Sequence, residues 1–231
     1  MTAEPVQPTE IGADLRHVRS WIFDLDDTLY PPERQILKRV SERIGQFMLR
    51  ATGLPLEEAR TLQKRYLLDH GAALGGLMKD YTLDAAAFLA DVHDVPLDDL
   101  HPDEGLRAGL ERLKGPRYVF TNGSTRHGER VLEQLGIADL FEGLFAVEHA
   151  RLVPKPHPDT FALMLEAFGV DPAGAAFFED TARNLDHAKV LGMTTVLVGP
   201  HAFDAEAPFV DHRAAALGPF LATAILPGDP T

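Results

Sequence analysis

Short apolar runs ending in acids, amides or hydroxyls alternate along this chain with stretches where apolar residues recur every three or four positions. The runs at 20–25, 117–122, 144–147, 175–179 and 194–198 predict buried strands. Between them the pattern predicts helices with matching punctuation. One follows Asp103 and ends by Gly115, one follows Ser124 and ends by Gly136, one spans 158–168 before Gly169, and one runs from Thr181 to Gly192. Strands alternating with helices of this length predict an α/β fold with right-handed crossovers and a mostly parallel, Rossmann-like sheet.

One region departs from this alternation. Between Pro31 and Pro102 the pattern offers helices and no strand. Ile36, Val40, Ile44, Phe47 and Met48 share one helical face that stops at Gly53. Residues 56–70 predict a second helix, 74–78 a shorter piece and 84–93 a further helix. The organisation read from this pattern is a polar, mobile lead-in at 1–14, a core formed by 15–30 and 103–231, and an all-helical insertion at 31–102. Tyr30-Pro31-Pro32 and Leu100-His101-Pro102 are the expected hinges, and the end of the chain from Leu226 is expected to fray.

Composition narrows the function. The chain has 231 residues, 45% of them hydrophobic and 25% charged, with a formal net charge of -13. That is enough apolar material for a sizeable core. The acidic balance argues against a nucleic acid polymer as partner, because phosphate backbones need clustered cations. A small anion remains possible where a metal and a lysine reverse the field locally. The absence of cysteine removes disulfides and thiol nucleophiles. With neither a basic-then-apolar leader nor a long apolar run, a cytoplasmic protein without membrane association is expected.

Four strand ends carry polar residues beyond what turns require. Asp24-Leu25-Asp26 closes the first run; Asp27 and Thr28 fit capping, but a carboxylate at Asp24 abuts an apolar strand, where a charge needs a partner. Asp24 reads as a nucleophile or metal ligand and Asp26 as an acid/base. Thr121-Asn122-Gly123-Ser124 joins a strand to a helix N-terminus, a place suited to phosphate, although taken alone a Ser124 cap with a tight Asn-Gly turn is the preferred reading. Pro154-Lys155-Pro156 holds one lysine in an extended loop. Glu179-Asp180 ends a further strand, and acids facing the first pair would repel each other unless a divalent cation lay between them; oxygen ligands suit Mg²⁺.

In this order, Asp24-Leu25-Asp26-Asp27-Thr28-Leu29, Thr121-Asn122-Gly123, Lys155-Pro156 and Glu179-Asp180 resemble the four motifs of the haloacid dehalogenase superfamily, over residues 20–199. The helical insertion lies where that family places its first-type cap. The resemblance implies phosphoryl chemistry at the C-terminal edge of the sheet. Asp24 would be the nucleophile and Asp26 the general acid and base. Thr121, the Asn122 backbone amide and Lys155 would bind the phosphoryl oxygens. Mg²⁺ would be held by Asp24, the Asp26 carbonyl and Asp180, with Glu179 reaching it through water. Asn184 would bridge to Lys155 or to a metal-bound water, or simply cap its helix. The family's dehalogenases lack an acid at the position of Asp26, so the resemblance favours a phosphatase or phosphotransferase.

A narrower resemblance, to bacterial and fungal pyrimidine 5′-nucleotidases, rests on Leu29-Tyr30-Pro31, Gln63-Lys64-Arg65-Tyr66, Thr121-Asn122-Gly123 with His127 and Arg130-Val131-Leu132, and Phe178-Glu179-Asp180 with Asn184-Leu185. That group carries Gly-Thr-Thr-Leu-Arg-Gly-Leu in its cap, where this chain has Gly71-Ala72-Ala73-Leu74-Gly75-Gly76-Leu77. His127 would either approach the leaving group or sit exposed on its helix; His70 and Lys79 would either line the cap or face solvent. The expected partner is a small phosphorylated metabolite, a nucleoside 5′-monophosphate first, with phosphoglycolate or a sugar phosphate as the alternative. A phosphomutase and a non-catalytic phosphometabolite-binding regulator stay open, as do monomer and homodimer.

Overall fold

A computed structural model describes residues 11–70 and 73–230. Six parallel strands form one sheet in the order β3-β2-β1-β4-β5-β6: β1 (Ser20–Phe23), β2 (Arg117–Phe120), β3 (Gly143–Phe145), β4 (Ala175–Glu179), β5 (Thr194–Val198) and β6 (His212–Ala214). Successive side chains in a strand point to opposite faces, and the sequence uses both. Trp21, Phe23, Ala176 and Phe178 enter one apolar cluster, whereas Ile22, Ala175 and Phe177 enter the other. A sheet buried on both sides explains why these strands read as continuous apolar runs.

Helices cover both faces. On the first pack α5 (Glu104–Glu111), α6 (Thr125–Gln134) and α9 (Leu217–Thr223); on the second pack α7 (Pro158–Phe168) and α8 (Ala182–Val190). Asp103 and Ser124 cap their helices by accepting backbone N–H bonds, as the punctuation predicted. The chain runs outward from β1 through β2 to β3, then returns to the other side of β1 for β4. The β1–β4 boundary is therefore the switch point at which open α/β sheets bind ligands beyond their carboxyl ends.

Four α-helices lie between β1 and α5: α1 (Ile36–Thr52), α2 (Leu56–His70), α3 (Ala73–Asp80) and α4 (Ala85–Val92), with no strand among the described residues of 31–102. They share a third apolar cluster around Met48, Leu62, Tyr66, Leu74, Leu77 and Phe88. Helix α1 belongs to two clusters, since Ile36 and Val40 pack against the sheet-side core and Met48 against the helices. Gly76 has no room for more than hydrogen, because a Cβ there would lie 2.1 Å from the Tyr66 ring.

Both ends of the chain depart from expectation. Within the 1–14 lead-in, residues 1–10 lie outside the described residues, but Ala13 is buried and Asp14 pairs with Ile225. The C-terminal segment adds β6 and α9; Leu226 is buried and its N–H donates to Asp229, which also faces Arg112. The strand and the apolar side of α9 are too short to stand out as patterns, yet they close the sheet edge. Residues 201–209 also fold against it, with Ala202 and Ala207 buried and the Phe209 carbonyl accepting from Thr195 Oγ1. Among the described residues no helix is long and apolar enough to cross a membrane.

Candidate active site

The carboxyl ends of β1, β2 and β4 deliver Asp24, Thr121 and Glu179-Asp180 to one locale. Register does this: Phe23 pairs with Phe178, so the Asp24 N–H donates to the Phe178 carbonyl at 2.8 Å and the two acidic strand ends lie side by side. Leu25 turns into the core, fully buried, while Asp24 and Asp26 stay on the cavity side. The turn after them is tight, with Asp27 at φ 61°, a left-handed conformation that aspartate tolerates better than most residues.

Lys155 ties the ends together. It is 1% exposed, and its ammonium donates to Asp24 Oδ1 (2.7 Å), Glu179 Oε2 (2.7 Å) and the Phe120 carbonyl (2.8 Å), which uses all three of its hydrogens. The Phe120 and Phe177 rings flank it at 5.0 and 5.2 Å. Asn122 sets the lysine's backbone: its Oδ1 accepts from Lys155 N at 2.7 Å and its Nδ2 donates to Lys155 O at 3.3 Å. This side-chain role for Asn122 was not legible in a motif read only for its backbone amide. Thr121 is buried, and its hydroxyl oxygen accepts from Gly123 N, leaving the hydroxyl hydrogen to donate into the cavity.

Asp26 points away from this cluster. Its Oδ1 accepts from Tyr30 Oη at 2.5 Å and from His127 Nε2 at 2.7 Å. Sequence reasoning left His127 between a catalytic approach and an exposed position; it is buried against Asp26, and the His93 ring stacks on it at 4.7 Å. Tyr30 carried no signal for this contact except its spacing of four from Asp26. Of the remaining candidates, Lys79 is exposed, and His70 and Ala72 have side chains outside the described residues.

Burial sets the electrostatics. Removal from water, with Glu179 nearby, pushes the Asp24 carboxyl up to about 7 despite Lys155. Burial raises Glu179 to about 7 against the pull of Lys155, and burial together with Asp24 raises Asp180 to about 7. Burial also pushes Asp26 upward, but the His127 and Tyr30 contacts outweigh it and hold the carboxyl below its usual range. Two acids two residues apart are thus driven in opposite directions, the pattern of groups with separate tasks. His93 is pushed down to about 4 by burial and then by His127.

Asp24, Glu179 and Asp180 each offer an oxygen within 4.8 Å of the others. Three carboxylates share one lysine, so the cluster lacks positive charge. Asp27 Oδ1 and Asn184 Oδ1 are buried acceptors with no donor in reach among the described residues. The expected bridge from Asn184 to Lys155 does not form, because the lysine's hydrogens are spent elsewhere. An all-oxygen set short of one cation, with spare acceptors beside it, fits a hard divalent ion and its waters. Above lies a cavity of about 1380 Å³, roofed by α1, α2 and α4 through Val40, Ile44, Gln63, Lys64, Phe88 and His93. From the Gly71–Leu77 stretch, Ala73 and Leu74 line it among the described residues, and Gly75 does not.

Comparison with known proteins agrees with this arrangement. The family described as haloacid dehalogenase-like hydrolase matches residues 18–192. Phosphate metabolism protein 8 of Saccharomyces cerevisiae is 30% identical over 77% of this chain and 60% of its own length, so the chain spans about three fifths of that relative. The fructose-1-phosphate phosphatase YqaB of Escherichia coli is 28% identical over 76% of this chain and 93% of its own. A HAD phosphatase structure from Thermococcus onnurineus shares the fold at TM-score 0.59, with 21% identity over 87% of this chain and 94% of that one. With residues 18–192 matched, most of its length, the chain belongs to the haloacid dehalogenase-like hydrolases.

Proposed function

We propose that this protein is a Mg²⁺-dependent phosphomonoesterase that hydrolyses a small phosphorylated metabolite through an aspartyl-phosphate on Asp24. The observation that carries the reading is the pairing of a buried carboxylate bonded to a buried lysine, Asp24 with Lys155, and a second acid two residues on that faces elsewhere, Asp26. A nucleophile and an acid/base need that division of labour.

Mg²⁺ would be held by Asp24, the Asp26 carbonyl and Asp180, with Glu179 and Asn184 contacting its waters; when bound it neutralises charge on the phosphoryl oxygens and on the acids. Asp24 attacks phosphorus and forms the new O–P bond. The Thr121 hydroxyl binds one phosphoryl oxygen and Lys155 another, by exchanging one of its three present bonds for it, with Asn122 fixing the lysine loop. Asp26 gives a proton to the leaving oxygen as the P–O bond breaks, then takes one from the water that releases Asp24. Phosphoryl transfer asks mainly for such positioning and charge compensation. Residues 31–102 act as a cap over the site, excluding bulk water.

The cavity is large enough for a nucleoside 5′-monophosphate, and Gln63 and Lys64 on its roof belong to a segment whose sequence resembles pyrimidine 5′-nucleotidases. A sugar phosphate is the second reading, favoured by the likeness to the fructose-1-phosphate phosphatase. The test is phosphate release with Mg²⁺ across nucleoside monophosphates and sugar phosphates, with Asp24→Asn as control. Asp24→Asn should lower turnover at least about 10⁴-fold. An equally active Asp24→Asn protein, or no release from any ester, rejects the phosphatase; sugar phosphates turned over while every nucleotide is ignored rejects the nucleotidase alone.

A further inference from the structure

Of the segments that join the helical insertion to the sheet, one bonds Oδ1 of Asp26 directly and the other braces the histidine that bonds the same atom. Tyr30 opens the outgoing connection and donates to Asp26 Oδ1 at 2.5 Å, with its side chain buried among core residues. His127 reaches the same Oδ1 at 2.7 Å from the first turn of α6. His93 opens the returning connection and stacks on His127 with ring planes 25° apart. Arg130, three residues beyond His127 on α6, holds that connection by donating to the carbonyls of His93 and Val95, each at 3.0 Å. The His93 ring is itself fixed by a contact of 3.1 Å between Nδ1 and the Leu89 carbonyl.

We propose that Tyr30 and His127, braced by His93, are positioning residues that lock Oδ1 of Asp26 and so assign proton transfer to Oδ2. This rests on the reading of Asp26 as general acid. The geometry gives the two oxygens different surroundings. Oδ1 is saturated by two donors, whereas Oδ2 has no donor among the described residues and faces the Thr121–Gly123 loop, 3.5 Å from where a Cβ on Gly123 would stand. A carboxyl pinned at one oxygen by two groups from different elements cannot rotate without breaking both bonds. Its other oxygen then stays aimed at the locale where the leaving group must lie. During phosphorylation of Asp24, Asp26 in its protonated form, regenerated in each turnover by the proton it takes from water, gives the Oδ2 hydrogen to the ester oxygen, which keeps the electron pair of the breaking P–O bond.

The His127 side of the clamp has a further consequence. Nε2 carries a hydrogen toward the carboxylate, and Nδ1 is buried without a partner among the described residues. With the far edge of the ring unanchored by hydrogen bonds from these residues, the His93 stack is what fixes its plane. The insertion and the acid are thereby coupled: a displacement of residues 93–95 frees the His127 ring, and a displacement at Pro31 moves Tyr30.

Leaving-group dependence separates this role from a merely structural one. Nitrophenolate departs without a proton, while an alkoxide needs one, and a positioned general acid is worth about 10²–10⁴-fold. Values of kcat/KM for p-nitrophenyl phosphate and glycerol 2-phosphate should be measured with Mg²⁺ for Tyr30→Phe, His127→Leu and His127→Gln. Because kcat/KM stops at the first irreversible step, it reports phosphorylation alone. Tyr30→Phe and His127→Leu should each lower the glycerol ester by about 50-fold and the nitrophenyl ester by no more than about fivefold. His127→Gln, which keeps an N–H near the position of Nε2, should recover most of the loss. Equal losses on both esters, no loss on either, or a His127→Gln protein as impaired as His127→Leu would overturn the assignment while leaving the phosphatase intact. A wild-type protein inert toward both esters overturns the phosphatase reading and the assignment together. Thermal unfolding of each variant identifies one that fails to fold, and Tyr30→Phe, which removes one oxygen only, then decides the question.

Discussion

The sheet edge and the helical roof above it are stabilised by opposite means. At the edge, buried polar groups hold one another: Lys155 with Asp24 and Glu179, Asp26 with Tyr30 and His127, Asn122 with the lysine backbone. In the roof, the buried residues are apolar and the charges pair at the rim, as Arg60 does with Glu57 and Arg50 with Asp91. A polar network in low dielectric has one good arrangement and a high cost for each missing member. An apolar cluster with exposed polar residues tolerates exchange on its outer positions. On the proposed function, chemistry would belong to the edge and discrimination among substrates to the roof.

The sharpest way to break this contrast is to remove the charge at the centre of the edge. Lys155→Met keeps length and apolar stem but leaves Asp24 and Glu179 buried without their cation. Breaking a buried pair costs about 3–5 kcal/mol, which is about 10 °C in Tm for a chain of this size. Phosphate release should fall at least about 10³-fold. The thermal deficit should shrink toward pH 5, where the two carboxyls take up protons. A Lys155→Met protein that melts like the wild type at pH 8 would show the edge to be as tolerant as the roof.

A smaller effect should appear without mutation. Asp24, Glu179 and Asp180 have folded-state values near 7, above those of an unfolded chain. Groups raised in this way favour the folded state fully below the unfolded value, and the contribution is lost as pH rises through the folded one. With metal chelated, Tm should therefore drop between pH 5.5 and 8. A single uncompensated group would contribute about 2 kcal/mol over that interval, or about 5 °C. The lowered Asp26 acts in the opposite sense but only in the acid range, outside this window. Mg²⁺ at 100 times its Kd should restore about 2.7 kcal/mol, with more effect at pH 8 than at pH 6. Flat stability from pH 5.5 to 8 in chelator would mean that the acids are hydrated rather than desolvated.

What the sequence disclosed follows the same division. The edge was legible because carboxylates, a threonine and a rigid lysine at strand ends are chemically improbable there, and their order along the chain matched a family. The five long strand runs and the capped helices were legible because periodicity and punctuation agreed. The clamp on Asp26 was not, since a contact between Asp26 and His127 spans 101 residues and neither residue has a local pattern that announces it. Nor was the closing of the chain's two ends, where Asp14 and Ile225 meet through backbone bonds that any residue supplies. Side-chain identity signals chemistry; backbone pairing over long distances leaves little trace in it.

The roof offers the gentlest test. Lys64 lines the cavity from α2, and its neighbour Gln63 fastens α2 to α1 by donating to the Ser41 carbonyl and hydroxyl, both at 3.2 Å. Lys64→Ala should leave folding and the chemical step alone, because it removes a hydrated charge that no buried group depends on. If the roof reads the leaving group, KM for a nucleoside monophosphate should rise about fivefold, about 1 kcal/mol, the scale of one partly exposed charge contact. The KM for p-nitrophenyl phosphate, whose leaving group carries no base or ribose to recognise, should stay within about twofold, and kcat should be unchanged for both. A fall in kcat for the nitrophenyl ester would instead place Lys64 among the groups that assist the chemistry, and the separation of roles between edge and roof would have to be redrawn around α2.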